Sequence, residues 1–598
     1  MEQRTPARKK PTPNSFDTRP TEVQSWVAGL PLANLGESSR LLFGALVETN
    51  ALDIPAEQRL RLLEAFDAPT RALCDGMKAH FVGKAFPLPE RARQIVQLSQ
   101  ALMTQMAAGY RIVAEDSSDK RGLLGDHKQP AVASHRALSY LGEALLRAYQ
   151  VYAPYPAGIW QQVHSLYQQA EAKGFAGTIV KGPGDESGHG TSIEDAYKRI
   201  LLLALACPYR LRQGEVEQIY AWLREWSRHA SLDQLTETKN PNGLFVANFA
   251  ADEPPTYLVL RDVQYDQASC RLLNATRLAD VVREVSHQWH AQTGKTPKIN
   301  EQVLRRLMLA WGVMPKRRFS RSQRHSTAMV AIGLSAAHYY TSGEVALEEA
   351  EDCTGAEHLF SRPARFEASD TADRRGELPE LWEMDERPPR EIHSSAGSDR
   401  PLDFSRAGEP VAAPARVVPG PAYRAHVWKM VNVSAGGYRL LWDSSEGSQA
   451  QVGELLGLQE SAEADSFHLS LGVVRWMKHS QELGLELGVE MLSPGAVAVG
   501  TRADKAGGGE YMRSLLLPAV AAIGQPATLL TPALPYHVGD VMIVNSHGNE
   551  ARVELTKLVE NTGTFAQYPF KPLDSRSARK ATVDDTDPAH FADLWNKL

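Results

Sequence analysis

Cysteine is scarce: Cys74, Cys207, Cys270 and Cys353 are the four in 598 residues, and none forms a C-x-x-C pair. That excludes a disulfide framework, a thiol-exchange motif and a cysteine-rich zinc site, and it fits a reducing compartment. Long apolar runs are lacking too. The longest, such as 200–207 and 515–523, fall well short of the roughly 18 residues a membrane span needs. No charge of one sign predominates: 65 basic and 71 acidic residues leave a net −6, so nothing global points to nucleic acid or an anionic membrane. The N-terminal MEQRTPARKKPTPNSFDTRP is basic and proline-rich with no apolar stretch behind it, unlike a secretory signal. These absences predict a cytoplasmic chain with no membrane span and no nucleic-acid partner.

What is present predicts a multidomain α+β protein. A hydrophobic share of 43% and a charged share of 23% are those of a globular chain, and its length calls for several cores. Residues 1–36 read as a disordered tail. Residues 37–230 read as helix after helix, an all-α, TPR-like or α-solenoid region without a clean 34-residue repeat. Leu138, Leu141, Leu145 and Tyr149 recur at helical spacing, as do Ile159, Val163, Leu166, Tyr167 and Ala170, then Val216, Ile219, Tyr220, Leu223 and Trp226. Thr191 and Ser192 stand before Glu194 and Asp195 at capping-box spacing, which starts a helix there. Residues 231–312 are mixed: a short strand pair around 244–260, then helices near 276–293 and 299–311.

Texture changes after that. Residues 327–340 are small and apolar, with β-compatible character. Residues 344–422 are acidic at first and then broken by prolines, which reads as a disordered insertion. Beyond it, period two takes over: Trp428 and Met430 alternate with Val427, Lys429 and Val431, and Leu483 to Met491 alternate likewise. Glycines at 436, 437, 453 and 457 look like turns between short strands. A small antiparallel barrel over 313–500 and a further β-rich unit over 501–598 are expected.

Two segments carry candidate chemistry. Lys316 to Arg324 holds Arg317, Arg318, Arg321 and Arg324 in eight residues. Guanidinium groups resist unpaired burial, and their planar donors suit phosphates and the guanine edge; a solvated basic linker would look the same. The segment Asn432-x-Ser434-x-Gly436-Gly437 places an amide and a hydroxyl two residues apart, on one face of a strand end. Its glycines admit a turn and a close-lying flat ligand; an ordinary β-turn has the same composition.

Taken together, in this order and with strands around them, the segments resemble the PilZ domain, a bacterial receptor family for cyclic di-GMP. Arg317 and Arg321, with Arg318, are similar to its R-x-x-x-R motif, and Asn432, Ser434 and Gly437 to its D/N-x-S-x-x-G motif. The runs 452–456, 473–476 and 487–491 resemble its later strands. Here Arg321 and Asn432 stand 111 positions apart, more than the family spacing, and the insertion accounts for the excess at only logarithmic entropic cost. The resemblance implies a cyclic di-GMP site built from Arg317, Arg318, Arg321, Arg324, Asn432, Ser434, Gly436 and Gly437, with Trp428 or Trp476 able to stack on a base. It also implies an effector whose helical region docks an unknown protein partner, in motility, type IV pili or surface attachment. The alternative is a helical scaffold whose barrel binds protein and not nucleotide.

No enzyme is expected. Gly188-His189-Gly190-Thr191 lacks the partner motifs of a hydrolase, and the loop 181–184 lacks the G-K-[ST] ending of a phosphate-binding loop. No metal or cofactor is called for.

Overall fold

The computed structural model describes residues 8–573 apart from 119–126, 183–188, 236–237, 239, 260–264, 292–300, 313–319, 344–422, 461–468, 481, 505–508, 520–524 and 547, and the side chains of 118 and 287–291. The insertion over 344–422 therefore lies outside the described residues, as do Arg317, Arg318 and Cys353.

Apolar stripes at helical spacing build the N-terminal region. Helices α1 (Pro20–Ala28), α2 (Leu35–Ala51), α3 (Ala56–Lys78), α4 (Glu90–Ser118), α5 (Lys128–Gln150) and α6 (Ile159–Ala172) follow one another. Helix α5 is buried nearly all round, so it takes the centre while its neighbours expose one face. A two-stranded pair, β1 (Ile179–Val180) and β2 (Thr191–Ser192), leads into α7 (Ile193–Leu205). Ser192 and Asp195 close the expected capping box there. Helix α8 (Gln213–Trp226) completes the group.

The tail expected over 1–36 is not unstructured in its described part. Helix α1 buries Val23, Phe16 packs edge-on against Trp26 and Phe66, and Arg8 pairs with Asp116. Aromatic anchors, which proline and charge content masked, hold this segment to α3.

Strands β3 (Ser231–Gln234), β4 (Leu244–Asn248), β5 (Thr256–Tyr257) and β6 (Cys270–Asn274) make an antiparallel sheet in the order β3-β6-β4-β5. Two helices follow, α9 (Thr276–Ala291) and α10 (Glu301–Gly312).

The first barrel comes next: β7 (Ser322–Ile332), β8 (Ala425–Ser434), β9 (Gly437–Trp442), β10 (Leu455–Glu460), β11 (Ser470–Ser480) and β12 (Gly484–Ser493), closed in the order β10-β11-β12-β9-β8-β7. Between β7 and β8 stands α11 (Leu334–Thr341), where the sequence had suggested a continuing strand. Small residues such as Ala336 and Ala337 let this helix lie close against both barrels, and packing overrides a weak local preference. Gly457, expected in a turn, lies inside β10, where the Leu469 side chain occupies the space of a Cβ.

The second barrel comprises β13 (Val497–Ala503), β14 (Met512–Leu517), β15 (Thr528–Pro532), β16 (Val541–Ser546), β17 (Asn549–Leu555) and β19 (Phe565–Pro572), closed by the β15–β19 pairing, with β18 (Glu560–Asn561) laid on β19. It begins at Val497, slightly before the expected 501.

One continuous apolar cluster runs from the N-terminal helices into the interior of the first barrel, from Val23 and Phe66 through Tyr152 and Trp311 to Trp428 and Leu487. Backbone bonds reinforce the seam: His479 N–H donates to the Tyr152 carbonyl at 2.8 Å and Ser448 N–H to Phe86 at 2.7 Å. A second cluster, which includes Ala337 of α11, joins Leu471 and Val473 of the first barrel to Leu515 and Phe565 of the second. Among the described residues, no helix is long and apolar enough to cross a membrane.

Candidate functional site

The register of β7 against β8 assembles the site. Ser322 lies opposite Val433 and Gln323 opposite Asn432, so Arg321, one residue earlier, enters the barrel level with Ser434. Adjacent antiparallel strands thus bring together Arg321 and Asn432, which stand 111 positions apart in the sequence.

A bulge then decides which way the amide and hydroxyl face. Met430 is buried in the barrel interior opposite Leu440, yet Asn432 lies opposite Arg439. Two residues on β8 match one on β9, so Val431 is the extra residue and Asn432 shares the face of Arg439 instead of that of Met430. Simple alternation from Trp428 and Met430 would have sent Asn432 and Ser434 into the core. The bulge turns both outward.

The outer face continues across the strands. Gln323, Asn432, Arg439, Gly488 and Trp476 form one cross-strand row through β7, β8, β9, β12 and β11. Ser434, Gly437 and Glu490 form the next. Trp476 is half-buried, and its indole occupies the space a Cβ on Gly488 would need. Arg439 pairs with Glu486 at 2.6 Å, while its Nε is buried with no hydrogen-bond partner among the described residues. Such a row offers phosphate-binding cations, an amide, a hydroxyl and an aromatic ledge on one surface.

The turn closing β8 is tightly held. Ser434 Oγ donates to the Gly437 carbonyl at 3.3 Å, and Met491 N–H donates to the Gly436 carbonyl at 2.9 Å. Gly437 has φ +153°, and a Cβ there would overlap the Val489 carbonyl. The last glycine of the motif is therefore a steric requirement of the β9–β12 contact.

Of the eight residues singled out from the sequence, Arg321, Asn432, Ser434, Gly436 and Gly437 meet at this rim. Arg324 turns elsewhere: it pairs with Glu460 of β10 at 3.2 Å. Glu460 also bonds Tyr438, whose hydroxyl is pushed up to about 12 by burial and by that carboxylate. Arg317 and Arg318 lie outside the described residues. Trp428 is core, buried and packed against Trp442 with ring centroids 5.0 Å apart, so it is no stacking platform; half-buried Trp476 is the accessible candidate of the two. Arg439 went unnoticed in the sequence, although it follows Gly437 by two residues on the same strand.

Beside this rim, Arg475 stands in a second bulge, on β11, and pairs with both Glu490 of the first barrel and Glu560 of the second. Burial opposes ionisation of Glu560, but Arg475 outweighs it and holds the carboxyl below its ordinary value. Among the described residues no group of three or more His, Cys, Asp or Glu is placed to hold a metal ion.

Comparison with known proteins agrees with this arrangement along most of the chain. Residues 21–238 match the family profile "Cyclic-di-GMP receptor FimW, N-terminal domain", residues 244–497 the FimW "middle PilZ domain", and residues 497–573 the "FimW C-terminal beta-barrel domain". The chain is 33% identical over 620 aligned positions, covering 98% of each partner, to the cyclic-di-GMP receptor FimW of Pseudomonas aeruginosa strain PAO1. No solved structure matches it significantly.

Proposed function

The chain belongs to the FimW family of cyclic-di-GMP receptors, and on that premise we propose that it binds cyclic di-GMP on the outer rim of its first barrel. One observation carries the assignment of residues: the β7–β8 register brings Arg321 level with Ser434 and Asn432 across 111 residues of sequence. Arg321, with Arg317 and Arg318 from the preceding segment, grips the phosphates. Asn432 and Ser434 hydrogen-bond a guanine or the sugar-phosphate edge, and Trp476 offers its ring to a base. Arg439 adds a cation in the same row.

In this reading the protein is a binding effector and catalyses nothing. Its helical region is the output, docking a protein partner in motility or surface attachment, as the PilZ resemblance implies. The apolar cluster shared by helices and barrel supports such a route, because a rearranged rim strains a core that reaches α5. Sparse cysteine and a nucleotide messenger as ligand favour the cytoplasm.

Isothermal titration with cyclic di-GMP tests the proposal. Saturable heat is expected for the full chain, and Asn432→Ala or Arg321→Ala should weaken binding by at least about tenfold. No heat at concentrations on the order of 50 µM would refute it.

A further inference from the structure

A cavity of about 210 Å³ opens where three parts of the molecule meet: α10 and the start of α8, the β10–β11 side of the first barrel, and β18 of the second. That is large beside the ~15 Å³ one water needs. Five arginines line it, Arg210, Arg212, Arg305, Arg306 and Arg475, against two carboxylates, Glu490 and Glu560. Arg475 already engages both carboxylates. Glu215, which does not line the cavity, offsets one charge by pairing with Arg306 at 3.8 Å.

The remaining guanidinium groups are poorly satisfied. Arg210 is 9% exposed with a buried Nε that has no partner among the described residues. Arg212 gives its Nε to the Val452 carbonyl at 3.0 Å and leaves one buried Nη without a partner among the described residues. Arg305 stands exposed at the mouth with no ion pair among the described residues. Buried cations without partners are costly, so a site that keeps several together gains most from a multiply charged anion. A lone carboxylate would leave positive charge over, whereas a phosphate or diphosphate carries two or more charges and accepts bidentate guanidinium donors.

We propose that this junction cavity is a binding site for a phosphate-bearing anion, held by Arg210, Arg212, Arg305 and Arg306. Because its walls come from the helical region and both barrels, its occupant ties the three together. The site does not depend on the nucleotide reading of the rim. The phosphate has two sources, a separate small anion or a cyclic dinucleotide, whose two phosphodiesters together carry two charges, reaching in from the neighbouring face, where Glu490 belongs to both.

Pyrophosphate titrated into the full chain is the test. Saturable binding below about 1 mM is expected, weakened about tenfold by Arg305→Ala or by Arg210→Gln. Arg305 is exposed, so its variant should fold even where the buried one does not. If pyrophosphate still binds to chain saturated with cyclic di-GMP, a separate anion is the ligand. Competition, together with weaker cyclic di-GMP binding by Arg305→Ala, assigns the phosphate to the dinucleotide. Absence of saturable binding, or unchanged binding in both variants, overturns the proposal. A chain that binds pyrophosphate but not cyclic di-GMP would refute only the rim assignment.

Discussion

Replacing Gly437 by alanine probes the geometry on which the rim depends. The added Cβ would overlap the Val489 carbonyl oxygen and lie 3.0 Å from its carbon and 3.1 Å from Glu490 Cα. All three atoms are backbone of β12, in a closed barrel, so no side-chain rotation relieves the overlap. The φ of +153° adds strain for any residue with a Cβ. Strain of about 1–3 kcal/mol and overpacking of about 1–3 kcal/mol give a total loss of roughly 2–6 kcal/mol. Even the lower bound should drop the melting temperature by about 4–8 °C for a unit of this size. Gly495→Ala is the matched control, since nothing lies within 4 Å of its missing Cβ and its φ is not positive. Differential scanning calorimetry of both variants reads the effect. A melting temperature for Gly437→Ala within about 1 °C of the parent, or a drop as large for Gly495→Ala, would show that the close β9–β12 approach is misjudged. Ser434 bonds the Gly437 carbonyl, so cyclic di-GMP affinity should fall along with stability.

Other parts of the molecule make predictions of their own. Arg475→Gln leaves Glu490 and Glu560 without their shared cation, and breaking such a half-buried bridge should cost about 1.5–3 kcal/mol in urea unfolding. Adding Glu560→Gln should restore part of that loss, and strict additivity of the two changes would argue against the bridge. His135, buried beside Thr191, has its imidazole pushed down to about 3 by burial, with nearby Arg136 adding to the effect. The unfolded chain takes up this proton near 6.5 and the folded one does not, so its contribution is full above about 6.5 and is lost as pH falls towards about 3. The pH dependence of unfolding in that window should therefore flatten in His135→Gln, and an unchanged slope would rule the residue out.

Local pattern in the sequence determined a great deal. Stripes at 138–149, 159–170 and 216–226 became α5, α6 and α8, and the Ser192–Asp195 box starts α7. Period two around Trp428 and Leu485 became barrel strands. These signals survive because hydrophobic spacing and capping act within a few residues, and burial in the fold agrees with them. The motif residues were legible for the same reason, as residue types at fixed short spacing.

What tertiary structure decided was everything that needs a partner strand. Arg321 meets Ser434 only through the β7–β8 register, and Asn432 faces outward only because β9 places Val431 as an extra residue. Arg324, identical in kind to Arg321, meets Glu460 on β10 instead of joining the row. The need for glycine at 437 lies in the Val489 carbonyl 52 positions away, and the arginines of the junction cavity come from 210 to 475. Alternation along one strand tells which residues share a face. Pairing, bulges and the electrostatics of close neighbours settle which face is exposed and what it meets, and those arise from contacts distant in the chain.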